Sequence, residues 1–149
     1  MLWLLPEDRS WPPEIDVVEA MAWGPHSRQI HAGVIVPKSD AAVPSPRWID
    51  IGVAPAEGFH EYGLDWDQDR IVFLFDGKII REQPTPPSLR SRSMYLLVTL
   101  AIGGKWPYNE LGIRPIDGTS PERLEAGAAA IEPDYPAEMI IRSVRIWQP

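Results

Sequence analysis

The chain has 149 residues, 44% of them hydrophobic and 23% charged, with a formal net charge of −7. That length fits one domain of ~100–200 residues, the apolar fraction is too high for a disordered chain, and no apolar run approaches the ~20 residues needed to cross a bilayer. Twenty-one acidic against 14 basic residues, with no basic cluster, argue against nucleic acid as a partner, and the absence of cysteine removes disulfides, thiolate zinc sites and cysteine nucleophiles.

Seventeen prolines disfavour long helices, because an interior proline removes a hydrogen bond and clashes with the preceding turn. The predicted elements are accordingly short strands. Leu2–Leu5 is apolar at once and reads like the middle of a strand that has lost what came before it. Glu14–Met21 mixes acids with β-branched residues, Ile30–Val36 is β-branched, and Trp48–Val53 alternates. Phe59–Trp66 places His60, Tyr62, Leu64 and Trp66 on one face at period two. Ile71–Phe75, Asp76-Gly77 and Lys78–Ile80 predict a hairpin, since a type I′ turn needs positive φ at both central positions. Met94–Ile102 is continuously apolar and reads as a central strand buried on both sides. Ser120-Pro121-Glu122 predicts the N-terminus of one short helix running to Ala130, and Met139–Trp147 reads as the last strand. The pattern predicts a single all-β domain over residues 1–149, a sandwich or barrel.

The informative stretch is Trp11-Pro12-Pro13-Glu14-Ile15-Asp16-Val17-Val18-Glu19. On a strand, Glu14 and Asp16 share a face, whereas Glu19, five residues beyond Glu14, falls on the other. One extra residue, a β-bulge near Val17-Val18, would bring it back. Three carboxylates would then converge on one concave face. Convergent carboxyls cannot all ionise together, so their pKa values spread and one stays protonated beside another that is anionic. Glycoside hydrolysis needs that combination: one carboxyl protonates the leaving oxygen and another attacks the anomeric carbon or activates water. By local composition alone, three acids in six residues are more often a solvated edge, and next a calcium or magnesium cluster, than a catalytic set.

This strand resembles the active-site strand of glycoside hydrolase family 16, the laminarinase and lichenase group. The resemblance continues in order through Leu2–Pro6, His31, Phe59-His60-Glu61-Tyr62 with Trp66, Phe73–Gly77, Leu100–Pro107 with Gly103-Gly104 and Trp106, and Ile141–Gln148. It implies a β-jelly-roll of two stacked antiparallel sheets, concanavalin A-like, with a sugar-binding cleft. It implies Glu14 as nucleophile, Glu19 as general acid/base, and Asp16 between them, hydrogen-bonding the nucleophile. Trp3, His31 and Trp106 would line the cleft. The implied activity is that of a retaining endo-β-glucanase cutting β-1,3 or mixed β-1,3-1,4 glucan or a related exopolysaccharide. A catalytically weak or inactive carbohydrate-binding fragment is the alternative.

The sequence departs from the family in three ways. The acidic motif lies near the N-terminus rather than mid-chain, which suggests an N-terminally truncated jelly roll with an exposed sheet edge open to pairing with a second copy. Ser143 stands where the family often has a calcium-binding aspartate, so no structural calcium or other cofactor is expected. The Glu122–Ala130 stretch is an apparent insertion. A polysaccharide substrate would imply export, though no signal peptide is visible. Three scattered histidines make no zinc site, and Gly103-Gly104 lacks the Gly-Lys-Ser/Thr of a phosphate loop.

Overall fold

The computed structural model describes residues 1–21, 24–40, 42–101 and 138–147. The chain divides into two compact units, Met1–Thr99 and Leu100–Pro149. The described residues of the first form eight strands: β1 (Leu2–Pro6), β2 (Glu14–Ala20), β3 (Gln29–Ile35), β4 (Arg47–Asp50), β5 (Tyr62–Trp66), β6 (Arg70–Phe75), β7 (Lys78–Pro84) and β8 (Met94–Val98). They form two antiparallel sheets, one of five strands in the order β4-β3-β2-β1-β8 and one of three in the order β5-β6-β7. This is the all-β, two-sheet layering expected of the jelly roll. Among the described residues the only helical segments are three-residue 3-10 turns, as the proline content requires. None is long and apolar enough to cross a membrane.

The sheets pack through the alternate residues of their strands. Ile15 of β2 and Ala32 and Val34 of β3 meet Ile71 and Phe73 of β6, with Leu89 beside them, and all six are fully or almost fully buried. Leu4, Ile49, Leu64, Trp66 and Met94 pack around this cluster, so the period-two reading of Leu64 and Trp66 holds. The Asp76-Gly77 turn has φ of 47° and 74°, the two positive values that the hairpin signal demands. His60 lies just before β5 rather than on it. Its Nδ1 is 2.8 Å from Asp76 Oδ2, which ties it to the hairpin turn.

One inter-sheet contact is polar. Arg81 of β7 lies opposite Phe73 and points between the sheets, nearly fully buried. It donates from Nη1 to the Ala32 carbonyl (2.8 Å), from Nη2 to the carbonyls of Pro44 (2.9 Å) and Ser45 (3.1 Å), and from Nε to Gln83 Oε1 (2.9 Å). Its guanidinium is thus satisfied largely by backbone, which is how a buried cation avoids most of the cost of leaving water. Gly33 makes the space. Its φ is +154°, and a Cβ there would lie 2.7 Å from Pro46 Cα and 2.9 Å from Arg81 Nη1.

Two expectations are corrected. Among the described residues the Met94–Ile102 run is not central: β8 ends at Val98 and pairs with β1 alone, and Tyr95 and Val98 are exposed. A run of apolar residues records hydrophobicity, not the number of neighbouring strands, and here part of it faces outward. Met139–Trp147 carries no strand pairing among the described residues, and Met139, Ile140, Ile141, Val144, Ile146 and Trp147 are exposed. Apolar composition does not make a strand without a partner to complete its ladder. The expected helix from Ser120 to Ala130, Gly103-Gly104 and Trp106 lie outside the described residues.

Candidate active site

The site is built on β2, the middle strand of the five. On its β3 side, Asp16 pairs with Gly33 and Glu19 with His31, three steps on β2 against two on β3. On its β1 side, Val18 pairs with Leu2 and Asp16 with Trp3, two steps on β2 against one on β1. Both ladders therefore place one extra residue in β2 at Val17-Val18. The bulge lies where the odd spacing of the acids requires it, and it returns Glu19 to the face of Glu14 and Asp16. Ile15, between the first two acids, points the other way into the inter-sheet core. The three carboxylates consequently occupy the face turned away from the second sheet.

Each acid has a distinct setting. Glu14 is buried, and its Oε2 accepts a 2.7 Å hydrogen bond from Trp11 Nε1. Asp16 is 1% exposed. Its burial, a hydrogen bond with Glu14 and the charges of Glu19 and Glu14 push its pKa up to about 9. Asp16 is thus a neutral carboxylic acid at pH 7, able to donate to Glu14. Glu14 thus faces two donors, the indole and the Asp16 carboxyl. Glu19 is partly open, and its Oε2 lies 2.8 Å from His31 Nδ1.

The trio is more enclosed than a concave face implies. Two surface cavities, of about 290 and 240 Å³, lie elsewhere: one is lined by Glu7, Asp8, Arg92 and Ser93, the other by residues that include Pro44, Pro84 and Arg90. No group of three or more His, Asp or Glu among the described residues is arranged to hold a metal ion.

Trp3 and His31 both flank these acids. Trp3 sits opposite Asp16 on β1, and His31 sits opposite Glu19 on β3. Trp3 Nε1 and Asp16 Oδ1 are buried with no hydrogen-bond partner among the described residues, a donor and an acceptor on directly paired residues. Buried unpaired polar atoms cost about 1–3 kcal/mol each and are rare in purely structural positions.

Two residues of the site escape the sequence reading. Trp11 stands there only as the start of the motif, yet it touches Glu14. Trp48 stands there only as part of an alternating strand. It pairs with His31, contacts its ring at 5.2 Å, and stacks on His26 with centroids 3.8 Å apart and an 8° interplanar angle. The sequence signal for Trp48 is its own period-two strand next to a histidine-bearing one, but only the register reveals the pairing.

Residues 1–112 match the family model for glycosyl hydrolases family 16. The chain is 41% identical over 102 residues to endo-1,3-1,4-beta-glycanase ExsH of Rhizobium meliloti (strain 1021), covering 68% of this chain and 21% of that protein. It is 38% identical over 104 residues to endo-1,3-1,4-beta-glycanase EglC of the same organism, again covering 68% of this chain and 21% of the relative. Among solved structures it is similar to the kappa-carrageenase of Pseudoalteromonas carrageenovora in complex with an oligotetrasaccharide of kappa-carrageenan, with a TM-score of 0.42, 22% identity, and coverage of 62% of this chain and 40% of that one. An all-β sandwich bearing three convergent carboxyls is the general class that fold and site define. The chain belongs to glycosyl hydrolases family 16. It spans about a fifth of the length of the curated relatives it matches.

Proposed function

We propose that this chain carries the reacting centre of a retaining endo-β-glucanase that acts on β-1,3 or mixed β-1,3-1,4 glucan or a related exopolysaccharide. The observation that carries the reading is the bulge at Val17-Val18, which sets Glu19 beside Asp16 and Glu14 on one face of β2. The names of the R. meliloti relatives support the substrate class.

Glu14 attacks the anomeric carbon as Glu19, in its protonated form, gives its proton to the departing glycosidic oxygen. The glycosidic bond breaks and a glycosyl ester forms on Glu14. Glu19, now a carboxylate, takes a proton from water, the water oxygen bonds to the anomeric carbon, and Glu14 leaves. Asp16 stays neutral and donates to Glu14, which steadies the carboxylate before attack and after release. His31 holds Glu19 through the 2.8 Å contact. Trp3, opposite Asp16, offers the sugar a flat apolar face.

Reducing-sugar release from laminarin and lichenan tests the proposal. The chain should release sugar from at least one of them, and Glu14→Gln should lower that rate by about 10⁴-fold or more, the scale seen when a nucleophile is removed. Equal release by both forms, or glucan binding without hydrolysis by either, rejects it.

A further inference from the structure

We infer that Trp11 is a positioning residue for Glu14, acting through its indole N–H. The inference rests on the nucleophile role proposed for Glu14.

The contact is short and directed. Trp11 Nε1 donates to Glu14 Oε2 at 2.7 Å, within the charge-assisted range. Its donor is three residues from its acceptor, and Pro12 and Pro13 between them restrict how the connecting backbone can move. Asp16, two residues along the same face of β2, is its second hydrogen-bond partner. A carboxylate with two partners is restricted in orientation, and the orientation of reacting groups carries much of the rate. Among the described residues, the charged or titratable groups around this face are Asp16 and Glu19 on β2, His31 on β3 and the Met1 amino group, which interacts with Glu19. Trp11 contributes no charge to this set, only a donor.

Trp11 is 63% exposed, an unusual setting for so large an apolar side chain. Trp11 is not among the residues packed in the inter-sheet core, so a substitution there leaves the packing of the sheets in place. A function for the residue can therefore be separated from a role in folding. The indole N–H can also be separated from the aromatic face, since phenylalanine keeps a flat apolar ring and removes the donor.

Two measurements test the inference. In the first, the indole ¹H–¹⁵N resonance that vanishes in Trp11→Phe is followed with pH in the otherwise unaltered chain and in Glu14→Gln. It should move through a titration in the former and lose that titration in the latter. This readout needs no substrate, so it remains decisive even if the chain hydrolyses nothing. In the second, Trp11→Phe and Trp11→Ala are compared in glucan hydrolysis. Both should lower kcat by about tenfold, with KM changed less than about twofold. An indole resonance indifferent to Glu14 overturns the inference. So does a Trp11→Phe variant with full kcat. Loss of hydrolysis in the unsubstituted chain would instead reject the glucanase reading and leave the contact to be judged by the resonance alone.

Discussion

At Asp16, burial, a hydrogen bond and two neighbouring carboxylates act in one direction and keep the proton on up to about pH 9. In the unfolded chain the same group releases its proton near pH 3.8. The folded state therefore binds more protons than the unfolded state across that window, so Asp16 favours folding most below pH 3.8 and its contribution declines as pH rises towards 9. The slope from one such group is at most about 1.4 kcal/mol per pH unit. An asparagine in its place would donate to Glu14 without ionising, so Asp16→Asn should remove this part of the slope. Urea midpoints measured from about pH 5 to about pH 8.5 should move in favour of the variant as pH rises. Parallel curves for the two proteins would show that Asp16 is not held neutral by folding. The acids themselves are legible in the sequence because parity on a strand is a counting argument. Trp11 and Trp48 are not, since an exposed indole curling back on a residue three positions away and a ring facing across a ladder are set by register and loop path rather than by local composition.

At the scale of the strand, the bulge decides which side of β2 the last acid occupies. Its position is readable from the five-residue spacing of Glu14 and Glu19, and both flanking ladders place it there. Deletion of Val18 leaves Glu-x-Asp-x-Glu, which a regular strand presents on a single face, and should keep more activity than Glu19→Gln, which should lower glucan hydrolysis by about 100-fold or more, the usual share of a general acid. Circular dichroism would confirm that both variants retain their sheets. Equal losses would mean that parity is not what matters. The same counting does not reveal an edge: nothing in the residues of β8 distinguishes a strand with one neighbour from a strand with two, which is why Met94–Ile102 reads as central although β8 has one neighbour among the described residues. The Met139–Trp147 run shows the same gap, because a ladder belongs to two segments and a sequence shows each one singly.

Across the whole first unit, the two sheets meet through an apolar centre and one buried cation. Arg81 grips the Ala32 carbonyl, between His31 and Gly33, and so ties the second sheet to the strand that supports the acids. Arg81→Met keeps much of the apolar volume but strands the carbonyls of Ala32, Pro44 and Ser45. It should destabilise the protein by about 3 kcal/mol or more in urea unfolding, with little relief from Arg81→Lys, whose single ammonium cannot match the spread of the fork. A loss below about 1 kcal/mol would show that the carbonyls find other partners. This contact is invisible in the sequence, where arginine in an alternating strand reads as solvent-facing. The unit also brings its own extremities together. The Met1 amino group donates to the Thr99 carbonyl at 2.9 Å, across 98 positions of chain, and β1 and β8 lie side by side between them. A short linker from residue 99 to residue 1 would thus close the backbone into a ring without threading or crossing any strand, and such a cyclic chain would have less disorder to lose on folding.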